Sequence, residues 1–265
     1  MQASVASPPH PRLRLHRAFS SIYLPDNRDL IVYVPPDYDE QPERSYPVLY
    51  MHDGQNLFDS RTSFIEGRTW QMREHADAAI EAGEIEPLII VGIYNTGDRR
   101  LAEYTFERNW QMGGGEADSY GLLLTREIMP FIAARYRIRT DRASTGLGGS
   151  SLGGLVTLFL GIRHAQHFGK LAVLSPSVWW NERSILRTAS GHTRPHLRIW
   201  LDMGTAEGVR HLRDADLLHR RLIQSGWRDG LDITYLRVPG GQHNEDAWAA
   251  RFDQVLRFLF PAQPA

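Results

Sequence analysis

The chain has 265 residues, 42% hydrophobic and 23% charged, with a formal net charge of −1. That length supports a substantial buried core, and that balance is the composition of an ordinary globular protein. Near-zero charge gives no basis for a nucleic-acid or anionic-membrane partner, and the absence of cysteine excludes disulfides, thiolate metal sites and a cysteine nucleophile.

Residues 1–11 are proline-rich and are expected to form a flexible N-terminal segment. The opening "MQASVASPPHPRLRLH" holds prolines and arginines where a signal peptide needs an apolar stretch. No run reaches the roughly 18 apolar residues of a membrane span, so a cytoplasmic protein is expected. "RLRLHRAFS" and "RDLIVYVP" then read as two strands joined by the turn "PDN". "YPVLYMH" is a short apolar strand ended by Asp53-Gly54, and "TWQMREHADAAIEAG" has helical spacing up to Gly83. "PLIIVGI" is apolar on both faces, as in a buried parallel strand. A polar segment from Tyr94 to Ala117 precedes one long helix, "DSYGLLLTREIMPFIAARY".

The second half continues the alternation: strand "RASTGLG", helix "SLGGLVTLFLGIRHA", strand "GKLAVLSP", strand "HLRIWLDM", helix "GVRHLRDADLLHRRLIQSG", strand "DITYLRVP" and a last helix from Glu245. Strands and helices alternating in this way imply an α/β fold, a mostly parallel sheet with helices on both faces. No linker or repeat divides the chain, so a single domain over 1–265 is expected. Lys170 is the only lysine among 30 basic residues, a bias read as codon composition rather than anion chemistry.

The stretch "LGGSSLGGL" lies between a strand and a helix and admits three readings. A phosphate loop counted from Gly148 needs lysine where Gly154 stands, and a dinucleotide loop counted from Gly146 needs glycine where Ser151 stands. Both fail. G-x-S-x-G fits Gly149, Ser151 and Gly153, the spacing of a nucleophile elbow. A serine on so sharp a turn needs neighbours without side chains, and an inert serine in a glycine-rich turn is the plainer alternative.

A serine nucleophile needs a base and an acid to hold that base. Among 11 histidines, His243 follows the last strand on a Gly240-Gly241 loop, in the chain order serine, acid, histidine. The acid comes from "IWLDMGTAEG": Glu207, on the loop, is preferred over Asp202, at the strand's end, with Asp246 third. Oxyanion donors are expected at the backbone of Leu152 and of Gln55 or its neighbour Gly54. His52 and Asp53 lack a third ligand at metal spacing and are read as structural.

Taken together, "YPVLYMHDGQNLFD", "LIIVGIYNTGDRRLAEYT", "GLGGSSLGG", "LSPSVWW", "DMGTAEG" and "GGQHNEDAW" resemble, in order and over most of the chain, an esterase family of the α/β-hydrolase superfamily. That family includes enterochelin esterases, feruloyl esterase modules and S-formylglutathione hydrolases. The resemblance implies an α/β-hydrolase fold, Ser151 as nucleophile, His243 as base, Glu207 as acid, and Gln55 with Leu152 as oxyanion donors. Some relatives resembling enterochelin esterases work with serine and histidine only.

For substrate, the 94–117 segment carries Arg99, Arg100, Tyr104, Arg108 and Trp110, and "SPSVWWNE" carries Trp179 and Trp180. Arg99, Arg100, Tyr104, Trp179 and Trp180 are the expected substrate contacts, suited to a flat or anionic acyl or alcohol group; tryptophans filling core beside solvated arginines are the alternative. The expectation is a serine carboxylesterase acting on a small-molecule ester, with no metal or organic cofactor implied. An acyltransferase with the same triad and a catalytically silent ligand-binding homologue are the alternatives. The sequence leaves a homo-oligomer open.

Overall fold

The computed structural model describes residues 10–190 and 196–262. Most of the N-terminal segment expected to be flexible, residues 1–9, lies outside the described residues. Eight strands form one sheet: β1 (Leu13–Phe19), β2 (Arg28–Tyr33), β3 (Val48–His52), β4 (Ile89–Ile93), β5 (Thr145–Ser150), β6 (Lys170–Leu174), β7 (Arg198–Gly204) and β8 (Ile233–Val238). The spatial order is β1-β2-β4-β3-β5-β6-β7-β8. β1 pairs with β2, and β2 with β4, in antiparallel fashion; every pair from β4 to β8 is parallel.

The connections hold α1 (Met72–Glu81), α2 (Arg100–Glu103), α3 (Ala117–Leu122), α4 (Met129–Ala133), α5 (Leu152–Arg163), the short α6 (Trp180–Arg183) and α7 (Ile185–Thr188), and α8 (Val209–Gln224); α9 (Glu245–Leu259) follows the last strand. Successive strand residues point to opposite faces, so each central strand feeds two cores. Val48, Tyr50, Ile89, Val91, Leu171, Val173, Ile199 and Leu201 pack against apolar residues of α3, α4, α5 and α8. Their neighbours Leu49, Met51, Ile90, Ala172, Leu174 and Trp200 pack against α1 and α9. Burial on both faces is why these strands read as unbroken apolar runs. On α9, Trp248, Phe252, Val255, Leu256 and Leu259 lie in that second core, each burial stabilising by about 1.5–3 kcal/mol.

Two expected elements differ. The strand expected from Arg142 begins at Thr145, because Asp141 caps a 3₁₀ turn over Arg142–Ser144 by accepting from Ser144 N. The long helix expected over 118–136 is α3 and α4 joined by a π-helical stretch, Leu123–Ile128. Pro130 has no N–H to give to an earlier carbonyl, and the helix widens just ahead of it.

Burial also fixes a protonation state in the sheet. His52 ends β3 wholly enclosed, its Nδ1 2.8 Å from the Tyr120 hydroxyl, and that burial pushes its imidazole down to about 3. The unfolded chain therefore binds a proton near pH 6.5 that the folded chain refuses. Stability is fully present above that pH and falls as pH drops from 6.5 toward 3. Burial also lowers His75 and His164, with the same sign. We expect urea midpoints to fall from pH 7 to pH 5, with His52 contributing up to about a tenfold change in the folding constant per unit, and His52→Gln to flatten the profile. Equal pH profiles for both proteins would contradict a neutral buried His52.

Candidate active site

β5 runs straight into Ser151, whose φ of 60° and ψ of −122° fall where side chains are rarely tolerated. Such a conformation costs on the order of 1–3 kcal/mol and persists only when its surroundings over-determine it. Here Ser151 N donates to Leu174 O, and Ser151 O accepts from the N–H groups of Leu155 and Ser177, all at 3.0 Å. The glycines answer the same crowding. A Cβ on Gly149 would lie 3.1 Å from Gly153 C and from His52 Cβ, and one on Gly154 would lie 2.7 Å from Leu174 O. Ser151 Oγ stands at the N-terminus of α5, 3.0 Å from His243 Nε2 and 3.3 Å from Ser177 Oγ.

His243 lies on the loop between β8 and α9, and Glu207 on the loop after β7. The two loops are clamped together: Ala206 N donates to Gly241 O at 3.0 Å, Thr205 N to Val238 O at 2.9 Å, and Gly240 N to Thr205 Oγ1 at 2.8 Å. They approach so closely at Gly204 that a Cβ there would sit 2.2 Å from Gly241 O. As a result Glu207 Oε2 lies 2.6 Å from His243 Nδ1. Glu207 Oε1 accepts from the Ser175 hydroxyl at 2.6 Å and from Gly204 N at 2.8 Å. Burial pushes this carboxyl up, but the His243, Ser175 and Gly204 bonds outweigh it and hold it below the ordinary glutamate value. Glu207 is thus an ionised, fully oriented partner for the imidazole.

Asp202, the other acid considered, serves elsewhere. Arg251 of α9 grips it through Nε at 3.0 Å and Nη2 at 2.9 Å, and Trp200 Nε1 donates to it at 2.8 Å. Arg251 Nη2 and Trp248 Nε1 also donate to Ser175 Oγ, at 2.9 and 3.0 Å. Asp202 therefore supports the residues around Glu207 rather than meeting His243. Asp246, the third acid, pairs with Arg68 at 3.0 Å. Trp248 adds a T-shaped contact to the His243 ring at 5.0 Å.

The segment expected to carry the second oxyanion donor turns at Asp53, left-handed at φ 57°. Its carbonyl accepts from Asn56 N at 2.9 Å, leaving the Gly54 and Gln55 N–H groups ahead of the turn's first bond. Its carboxylate is held by Arg100 at 2.7 and 2.8 Å and by Asn95 at 2.7 Å. Burial pushes the Asp53 carboxyl up, and Arg100 and Asn95 together bring it below its usual value. Gly54 must be glycine because its Cβ would lie 2.5 Å from Gly92 C. Leu152 opens α5, so its N–H has no intrahelical acceptor.

A cavity of about 270 Å³ opens on Ser151 and His243, walled by Phe64, Ile65, Trp248, Asn56, Asp53, Asn95, Arg100 and Glu245. Of the expected substrate contacts only Arg100 reaches it, and its charge is already spent on Asp53. Arg99 turns away to Asp26 at 3.1 Å and to Glu116. Tyr104 is wholly buried, its hydroxyl accepting from Asp53 N at 3.2 Å, and Trp180 is equally buried with Nε1 donating to Glu107 O at 3.0 Å. Trp179 packs on Trp180 outside the cavity. Tyr104 and Trp180 thus fill core, whereas Trp179 and Arg99 are exposed or half-buried away from the cavity. Sequence reasoning missed Ser175, Arg251, Trp248 and Glu245; the signal present was the three-residue Glu245-Trp248-Arg251 spacing on the last helix, and nothing local marks Ser175, whose backbone turns left-handed at φ 41° only in the fold.

An eight-stranded, mostly parallel sheet with a serine at a strand-to-helix turn is the α/β-hydrolase architecture, and the family match makes the protein a carboxylesterase of that class. The chain belongs to the family described as "Putative esterase", whose model matches residues 21–259. It is 25% identical to the uncharacterized protein YbbA of Bacillus subtilis over 88% of this chain and 93% of that one. It is 31% identical to an iron(III) salmochelin esterase of Escherichia coli, over 61% of this chain and 42% of that one. The crystal structure of the BES protein from Bacillus cereus superposes with a TM-score of 0.77 at 22% identity, covering 98% of this chain and 99% of that one. Among the described residues, no helix is long and apolar enough to cross a membrane.

Proposed function

We propose that the chain is a single-domain serine carboxylesterase in which Ser151 is the nucleophile, His243 the general base and acid, and Glu207 the acid that orients the imidazole. The observation that most supports this is the unbroken relay from Ser151 Oγ to His243 Nε2 at 3.0 Å and from His243 Nδ1 to Glu207 at 2.6 Å. Ser151 Oγ attacks the ester carbonyl while Nε2 takes its proton, and the N–H groups of Leu152 and Gln55 stabilise the charge on the carbonyl oxygen. The imidazolium, steadied by the Glu207 carboxylate, then protonates the departing alkoxide. Water, deprotonated by the same Nε2, attacks the acyl-serine; collapse returns the proton to Oγ and releases the acid.

The Escherichia coli relative is named as an esterase of iron(III) salmochelin, whereas a cavity of about 270 Å³ walled by Phe64, Ile65 and Trp248 supports a small acyl or alcohol group. Turnover of p-nitrophenyl acetate, butyrate and octanoate tests this, with octanoate expected to be slowest. Glu207→Gln is expected to lower kcat about 10²–10⁴-fold with KM little changed, because an amide neither fixes the tautomer nor balances the imidazolium. An unchanged kcat would remove Glu207 from the mechanism.

A further inference from the structure

We propose that Ser177 is a further catalytic residue, its hydroxyl donating a hydrogen bond to Ser151 Oγ as that oxygen attacks the ester and again as it departs. The proposal rests on the reading of Ser151 as nucleophile. Proton positions along the relay fix the direction of the bond. A carboxylate only accepts, so the hydrogen between Glu207 Oε2 and His243 Nδ1, 2.6 Å apart, belongs to the imidazole. With that ring acting as base, its lone pair lies on Nε2, which accepts from the Ser151 hydroxyl at 3.0 Å. Ser151 then has no second hydrogen to give. Its 3.3 Å contact with Ser177 Oγ therefore runs from Ser177 to Ser151. Among the described residues, Ser151 is the one partner of the Ser177 hydroxyl.

The fold holds that hydroxyl in place before any substrate arrives. Ser177 is 4% exposed, and its N–H donates to the carbonyl of Ser151 itself at 3.0 Å. The turn after β6, Ser175-Pro176-Ser177, starts from the left-handed Ser175. It lies so close to α5 that a Cβ on Gly154 would meet Pro176 Cα at 3.2 Å. One tripeptide thus touches both ends of the relay, Ser175 donating to Glu207 at 2.6 Å and Ser177 to Ser151. At 3.3 Å the bond is longer than the roughly 2.7–2.8 Å usual between hydroxyls, so it is weak while Oγ is neutral. It strengthens as Oγ loses its proton to Nε2 and gathers charge. An interaction that grows between ground state and transition state raises the rate. Ser177 keeps its own proton throughout. In acylation the Oγ proton passes to Nε2 as the Oγ–carbon bond forms, and in deacylation it returns to Oγ as that bond breaks.

Two rates test this. The burst of p-nitrophenol from p-nitrophenyl butyrate in stopped flow reads acylation, and inactivation by phenylmethylsulfonyl fluoride reads the reactivity of Oγ without an ester. Ser177→Ala is expected to slow both by about three- to thirtyfold, the added worth of a bond to a charged oxygen, with the thermal midpoint little changed. Ser177→Thr, which keeps a hydroxyl, should stay within about threefold of wild type. A Ser177→Ala loss below about threefold in either rate overturns the proposal, and so does a Ser177→Thr loss as deep as alanine's. Peptide mapping of the sulfonylated wild type keeps the two readings apart. Label on Ser151 with an unaffected Ser177→Ala removes Ser177 alone, whereas label on another residue removes the nucleophile and Ser177 together.

Discussion

Ser151→Ala is expected to lower kcat/KM for p-nitrophenyl butyrate by about 10⁴–10⁶-fold, with the thermal midpoint unchanged. The size of the loss follows from what the hydroxyl does. In the proposed mechanism, loss of Oγ leaves no atom to accept the acyl group and no proton for His243 to take; only the N–H donors assigned to Leu152 and Gln55 would remain to polarise the carbonyl. The fold should be indifferent, because the turn is held by Ser151's backbone N–H and carbonyl and by Gly149, Gly153 and Gly154, none of which the substitution touches. Steady-state kinetics beside a melting curve separates the two effects. A variant retaining more than about a tenth of wild-type activity would be incompatible with covalent catalysis at this serine.

Arg251→Met is expected to destabilise the protein by about 3–5 kcal/mol, the typical result of leaving one partner of a buried ion pair uncompensated. Arg251 and Asp202 have side chains 2% and 0% exposed, so solvent does little to screen what is left. For a chain of this size that corresponds to a fall of roughly 10 °C in thermal midpoint. Arg251 also donates to Ser175 Oγ, which donates to Glu207, so turnover should fall as well as stability. Asp202→Asn combined with Arg251→Met should recover much of the stability, because the stranded charge is gone. If Arg251→Met melts like wild type, the buried pair is not what supports the β6–β7 end of the site.

The parts of this molecule legible in its sequence are those set by local rules. Unbroken apolar runs at 48–51 and 89–93 announce strands covered on both faces, and Gly149 and Gly153 fix the register of the turn around Ser151. Chain order then narrows 11 histidines to His243, which the structure brings to the Ser151 hydroxyl. What the sequence hides is set by distant partners. Glu207 and Asp202 are five residues apart in one segment; only the Gly204–Gly241 contact and the reach of Arg251 from α9 decide which of them meets the histidine. Trp180 and Tyr104 look like binding aromatics beside arginines, yet both are wholly buried. Arg100 looks like an open cation until Asp53, 47 residues earlier, is seen to hold it. Aromatic and charged residues on a polar segment carry no local mark of which way they will turn.

The most direct measurement is rapid-quench intact mass and peptide mapping of the wild-type protein mixed with p-nitrophenyl butyrate. The mechanism requires a transient butyryl adduct on the peptide containing Ser151, absent in Ser151→Ala and accumulating further in Glu207→Gln if deacylation slows more than acylation. Rapid p-nitrophenol release with no adduct, or an adduct on any other residue, would contradict Ser151 as the nucleophile.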